Sequence, residues 1–268
     1  MNIRVGLFDS GIGGFTVLRK VHESYGDIPC VYLADIARLP YGTKKPSEIR
    51  EIASEVVKWL TNQDLSVILI ACNTTNSIAL DIVEKFSTVP VFGLIEAAVN
   101  MITKRRIGVL ATSATVASLA YSKKILEVYP RAYVFEQACP AFVPMIETGQ
   151  INTDEVRMLA KQYLTPLLKM GVEEIILGCS HYPLLEDILK EFLPSNVRLV
   201  DPAIGLAKQL ARLNDMNDLS FSKTSLHKNT RFCVTSDPNS FSSRAMYWLK
   251  NLPDEVELVS LQTKACVF

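Results

Sequence analysis

Val67-Ile68-Leu69-Ile70-Ala71-Cys72-Asn73-Thr74 is an apolar run that breaks off at a cysteine, an amide and a hydroxyl. Its pattern returns in Glu174-Ile175-Ile176-Leu177-Gly178-Cys179-Ser180-His181, with the cysteine displaced by 107 positions. Short β-branched runs without polar alternation read as strands covered on both faces, the mark of a parallel sheet. A second pair agrees: Val5-Gly6-Leu7-Phe8-Asp9-Ser10 is echoed by Ile107-Gly108-Val109-Leu110-Ala111-Thr112, displaced by 102 positions. The chain therefore reads as two similar halves, each with a cysteine just past a buried strand.

Working outward, further strands are predicted at Cys30–Leu33, Val89–Leu94, Ala132–Phe135 and Val197–Val200, separated by amphipathic helical stretches. Ile49, Ile52, Val56 and Leu60 keep helical spacing, as do Val156, Leu159, Tyr163 and Leu167 behind Thr153 as N-cap. Asp201-Pro202 marks another helix start. The fold class is α/β, with helices on both faces of parallel sheets. The first half ends near Glu96 and the second near Leu206. Asn214–Thr230 reads as an exposed loop, and Arg231–Thr235 and Val256–Leu261 as strands around a helix carrying Phe241, Trp248 and Leu249. This tail is too short for a domain of its own, so the expected division is 1–97 plus 207–268, and 98–206.

Lysine and arginine number 28, as do aspartate and glutamate, so the formal charge is zero. Such a balance gives no general pull towards nucleic acid or an anionic membrane. The apolar share of 49% and charged share of 21% exclude a disordered chain. No apolar run approaches the roughly 18 residues of a membrane helix. Asp9 also arrives before any secretory-type segment could form, so a soluble cytoplasmic protein is expected. The six cysteines include no C-x-x-C pair and read as free thiols.

In open α/β sheets the ligand crevice lies at the carboxyl ends of the strands. Asp9–Gly14, Cys72–Asn76, Ala111–Thr115 and Cys179–Pro183 should reach that edge, and their small hydroxyl, amide and glycine residues suit a small ligand carrying a carboxylate. The glycines Gly11, Gly13 and Gly14 lack nucleotide-motif spacing and are explained equally by a tight strand-to-helix turn. Cys72 and Cys179 each precede a predicted helix start, where a thiol pKa can fall below about 8.5. Facing each other across a crevice, one thiolate could remove a proton from carbon while the opposite thiol returns one to the other face. Asp9 could sit beside one cysteine and His181 beside the other. Glu147 is a further candidate, whose plain alternative is an exposed loop carboxylate; Pro40-Tyr41-Gly42, after Asp35 and Arg38, could equally be an ordinary turn. Cys30, Cys233 and Cys266 read as structural, Cys139 is left open, and His22 and His227 read as solvated.

Phe8-Asp9-Ser10-Gly11-Ile12-Gly13-Gly14, Ala37-Arg38-Leu39-Pro40-Tyr41-Gly42, Ala71-Cys72-Asn73-Thr74 and Leu177-Gly178-Cys179-Ser180-His181-Tyr182-Pro183 together resemble the glutamate racemases of bacterial cell-wall synthesis, over nearly the whole chain. The resemblance implies two pseudo-symmetric α/β domains with the active site in the cleft between them. It also implies cofactor-free interconversion of L- and D-glutamate, supplying D-glutamate for peptidoglycan. It makes Cys72 and Cys179 the proton donor/acceptors, serving the D- and L-enantiomer respectively, with Asp9, Glu147 and His181 tuning them. Substrate contacts would come from Asp9, Ser10, Pro40, Tyr41, Gly42, Asn73, Thr74, Ser180 and His181, with Thr75 and Thr115 as lesser candidates. No metal is implied, and a homodimer is. Thr75 replaces the usual alanine, Ser180 the usual threonine, and Glu96-Ala97-Ala98 stands where Glu-Pro-Gly is usual at the join between halves. With no extra segment before the first strand, activation by a cell-wall precursor is not expected. The alternatives are a racemase for another small acidic amino acid such as aspartate, or a non-catalytic amino-acid-binding module.

Overall fold

A computed structural model describes residues 3–213, 228–249, 253 and 255–261. Most of the loop read at Asn214–Thr230, together with His227 and Cys266, lies outside the described residues. The strands are β1 (Val5–Asp9), β2 (Cys30–Ala34), β3 (Val67–Ile70), β4 (Val91–Gly93), β5 (Arg106–Ala111), β6 (Tyr133–Ala138), β7 (Glu174–Gly178), β8 (Arg198–Val200), β9 (Thr230–Val234) and β10 (Val256–Leu258). They form two sheets, ordered β10-β9-β2-β1-β3-β4 and β6-β5-β7-β8. Every pairing is parallel.

The order β2-β1-β3-β4 is repeated as β6-β5-β7-β8, so the internal repeat is one of topology. Register agrees: Val5 pairs with Val67 in the first sheet, and Ile107 with Glu174 in the second, the residues matched by the two sequence offsets. β1, β2, β3 and β7 are buried throughout. Alternate residues feed different layers. Val5, Leu7, Val67 and Leu69 pack with Phe15, Leu18 and Leu206 on one face of the first sheet. Phe8, Ile68 and Ile70 meet Ile49, Ile52, Val56 and Leu60 on the other. The second sheet divides likewise, with Ile175 and Leu177 facing Val156 and Leu167, and Ile176 facing Tyr121 and Ile125. Burial of each such side chain contributes about 1.5–3 kcal/mol, and double-sided coverage is why these strands show no polar alternation.

Helix starts follow the sequence signals. Thr153 accepts from the Val156 N–H at 3.3 Å to cap Asp154–Lys169, and Asp201 accepts from Ala203 N–H at 2.9 Å to cap Pro202–Gln209. The strand read at Val89–Leu94 is shorter, because Asn76 accepts the Ile95 N–H at 2.8 Å and draws Leu94 into the helix Leu94–Val99. The tail returns to the first sheet: β9 pairs with β2 and β10 with β9. Between them the helix Pro238–Leu249 presses Phe241 against Phe15 and Tyr32, with ring centroids 5.0 and 5.9 Å apart. His22 is a correction: it is buried on the helix Gly14–Tyr25, 3.9 Å from Cys30 Sγ, because it follows Leu18 by one turn on the core-facing side. Among the described residues no helix is long and apolar enough to cross a membrane.

Candidate active site

Repeated topology delivers two equivalent corners. Cys72 follows β3 and Cys179 follows β7, and both thiols line one cavity together with Ser10, Tyr41, Asn73, Thr74 and His181. The halves interlock around it. Ser180 donates its hydroxyl to Asp9 Oδ2 at 2.8 Å, Tyr121 donates to Asn73 Oδ1 at 2.6 Å, and the Thr74 and Thr112 hydroxyls lie 3.0 Å apart. Gly11, Gly13 and Gly14 sit in the short turn from β1 into the first helix, none with positive φ, and it is the approach of the second half that crowds Gly11 and Gly13, whereas Gly14 packs against Tyr32 and Asp9 of its own half. A Cβ on Gly13 would lie 2.5 Å from His181 Nδ1, and one on Gly11 would lie 2.7 Å from Glu147 Oε1.

Surroundings of the two thiols differ. Cys72 Sγ is 3.7 Å from the Ser10 hydroxyl and directly precedes the helix Asn73–Phe86. Burial nevertheless pushes this thiol up to about 12, with the Asp9 charge adding to the effect and the hydroxyls of Thr75 and Ser10 opposing it. The lowered pKa expected from the helix start is thus overridden at Cys72, since desolvation of a charge outweighs a terminal dipole. Cys179 is followed by a 3₁₀ turn, Tyr182–Leu185, rather than directly by an α-helix. Its near partner is His181, whose Nδ1 lies 3.8 Å from the sulfur. His181 Nε2 in turn lies 2.6 Å from Glu147 Oε1. Burial works against the imidazolium, but Cys179 and Glu147 together raise the His181 pKa well above its ordinary range. Burial likewise works against ionised Glu147 but is outweighed by His181 and Arg244, so its carboxyl is held below the usual range. Asp9 moves the other way, raised by burial despite His181, the Gly11 N–H and Ser180.

Among the sequence candidates, Ser10, Pro40, Tyr41, Gly42, Cys72, Asn73, Thr74, Cys179, Ser180 and His181 line the cavity. Asp9 and Glu147 stand behind the wall, reaching it through Ser180 and His181. Glu147 is mostly enclosed, with 9% of its side chain exposed, rather than an exposed loop carboxylate, and His181 and Arg244 hold its two oxygens. Thr75 and Thr115 are fully buried and outside the lining, Thr115 lying 3.0 Å behind the Thr112 hydroxyl. Tyr41 is fixed from behind by its hydroxyl donating to Asp35, which also accepts from Thr235 of the tail at 2.8 Å. Cys139 lines the cavity, whereas Cys30 sits at the amino end of β2 beside His22 and does not. Val143, Pro144, Leu39 and Thr43 also line it. Sequence reading passed over these four because ordinary apolar and turn residues carry no signal until a fold brings them to the strand ends. Among the described residues no cluster of three or more His, Cys, Asp or Glu side chains could hold a metal.

Residues 13–210 match the family model described as Asp/Glu/Hydantoin racemase. The chain belongs to this racemase family. A glutamate racemase of Synechococcus sp. (strain CC9605) is 52% identical over 260 residues, covering 96% of this chain and 97% of the relative. Among solved structures, glutamate racemase from Francisella tularensis subsp. tularensis SCHU S4, in complex with D-glutamate, superposes with a TM-score of 0.89 at 36% identity, covering 97% of this chain and 98% of that one. The Thermus thermophilus enzyme, in complex with β-chloro-D-alanine, gives 0.84 at 34% identity, covering 97% and 98%. The racemase fold, two parallel-sheet α/β units with a shared cavity, is the architecture expected from the repeat.

Proposed function

We propose that this racemase interconverts L- and D-glutamate by two-thiol proton transfer without a cofactor, and that its product is D-glutamate for peptidoglycan. The observation that carries the reading is the sharing of one cavity by Cys72 and Cys179, each at the end of a topologically equivalent strand. The 52% identical glutamate racemase supports glutamate as substrate. An aspartate racemase from Picrophilus torridus, at 17% identity and a TM-score of 0.53, shares the fold alone.

In this scheme Cys179, with His181 at its sulfur, takes the α-proton of L-glutamate. The electron pair left on the α-carbon is delocalised into the substrate carboxylate, and Cys72, a thiol at neutral pH, gives its proton to the opposite face. The reverse reaction exchanges the roles. An α-proton is too weakly acidic to leave unless that carboxylate is bound by well-placed donors in a water-poor site, each worth about 3 kcal/mol in comparable enzymes. The Asn73 amide and the hydroxyls of Ser10 and Thr74 supply that set, while Ser180, whose hydrogen goes to Asp9, is left to accept from the substrate ammonium; Tyr41 and Gly42 close the side wall, and Thr75 and Thr115 lie one layer back. Asp9 and Glu147 act through Ser180 and His181. We divide the molecule into 1–97 plus 207–268 and 98–206 around the two sheets, and place it in the cytoplasm as a homodimer.

The test is incubation with L-glutamate in D2O, following optical rotation and α-deuterium in wild type, Cys72→Ala and Cys179→Ala. Racemisation with deuterium uptake in wild type alone is expected. Normal turnover in either variant would refute the two-thiol scheme, and exchange with aspartate but not glutamate would redirect the substrate assignment.

A further inference from the structure

Both oxygens of the Glu147 carboxylate are occupied, but only one of them faces His181. Oε1 lies 2.6 Å from His181 Nε2 and accepts the Ile12 N–H at 3.4 Å. Oε2 is held by the guanidinium of Arg244. That arginine stands on the tail helix Pro238–Leu249, one turn beyond Phe241, which is wedged against Phe15 and Tyr32 in the core of the first sheet. Glu147 ends the helix Phe142–Glu147, after β6 of the second sheet. A chain of contacts therefore runs from a partly exposed arginine through Glu147 and His181 to the sulfur of Cys179. The polar groups around Cys72 are different: Ser10, Thr75, Asp9 and, on the side wall, Tyr41, with no histidine among them in the described residues.

We propose that Arg244 is a positioning residue for the Cys179 side of the reaction, clamping Glu147 so that it holds His181 with Nδ1 on the Cys179 sulfur. The proposal rests on the two-thiol reading above. A carboxylate held at one oxygen can swing about its side-chain bonds, whereas one held at both has its plane set, and a bond to guanidinium is among the stronger kinds available. Charge adds to geometry. The groups that face Glu147 are His181 in front, Arg244 behind, the Ile12 N–H and the neutral Tyr32 phenol from the first half and, as a nearby like charge, Asp9. Without Arg244, the two carboxylates share His181 as their remaining cationic neighbour. The protonated form of Glu147, which no longer orients the imidazole, then appears at a higher pH. A merely structural arginine would lower stability or turnover without moving the pH profile.

The experiment measures kcat/KM for glutamate against pH in wild type, Arg244→Met and Arg244→Lys, with iodoacetamide labelling of Cys179 and Cys72 resolved by mass spectrometry across the same range. Because the two enantiomers are equal in free energy, kcat/KM must fall equally in both directions, so the thiol labelling is what reads out the asymmetry. In Arg244→Met the acidic limb is expected to move up by about one pH unit, with about a fivefold loss at neutral pH, as for a partly exposed ion pair. Arg244→Lys should recover most of that loss. The labelling profile of Cys179 should move and that of Cys72 should not. Placed in a Glu147→Gln background, Arg244→Met should have no further effect. An unmoved pH profile, equal movement at both thiols, or an undiminished effect in the Glu147→Gln background overturns the proposal. A wild type that is labelled normally but does not racemise glutamate would overturn the substrate reading and leave the labelling comparison valid.

Discussion

Gly13→Ala isolates the approach of the two halves from every other property of the site. Gly13 has φ −55° and ψ −36°, so alanine fits its backbone without strain and is the better helix former. Only the added methyl matters. It would lie 2.4 Å from Ser180 Oγ, 2.5 Å from His181 Nδ1 and 2.7 Å from His181 Cε1, whereas ordinary contact begins at 3.4 Å. The imidazole must therefore retreat by about 0.9 Å, on a ring held 2.6 Å from Glu147 and 3.8 Å from Cys179. A shift of that size pulls at both bonds, and a misplacement of about 1 Å can cost about 10²-fold in rate. Overpacking costs about 1–3 kcal/mol, which for a chain of this length lowers Tm by a few degrees, at about 2–4 °C per kcal/mol. The expected result is a folded protein with Tm down by about 2–12 °C and kcat reduced by about 100-fold, read by calorimetry and by circular dichroism of glutamate racemisation. Turnover within threefold of wild type would refute the reasoning, since it would mean the two halves do not need this separation at Gly13 during catalysis.

Two further outcomes follow from the same geometry. Burial raises the Asp9 carboxyl, so the folded state holds its proton more tightly than the unfolded chain does, and stability falls as pH rises from the ordinary carboxylate range through the raised value. Asp9→Asn removes that penalty: Tm at pH 7 should rise while racemisation drops by at least about 100-fold, and the stability gain should vanish at acid pH. Equal Tm values at pH 7 would contradict it. Tyr121→Phe removes the donor that fixes Asn73 Oδ1 and leaves a buried acceptor unpaired, costing about 1–3 kcal/mol. Steady-state kinetics should show KM for glutamate rising several-fold with a smaller change in kcat; a loss confined to kcat would mean that Asn73 is not a ground-state contact.

Much of the architecture was legible locally. Runs such as Val67–Ala71 and Glu174–Gly178 are apolar on both faces, so parallel strands and their covering helices could be read from residue type alone. The two cysteines were visible because each breaks off such a run at the same point of a repeat. Thr153 and Asp201 announced their helices because capping involves only neighbours in sequence. What the local pattern could not contain is distance between elements far apart in the chain. Asp9 meets Ser180 across 171 positions, Glu147 meets Arg244 across 97, and Thr235 reaches Asp35 across 200. His22 looked solvated because one histidine on a helix has no sign of its own, and its burial depends on which face the sheet takes. The thiol of Cys72 shows the same division: its place before a helix is written in the sequence, but desolvation and the Asp9 charge, which overrule that helix, arise only once the chain has closed around it.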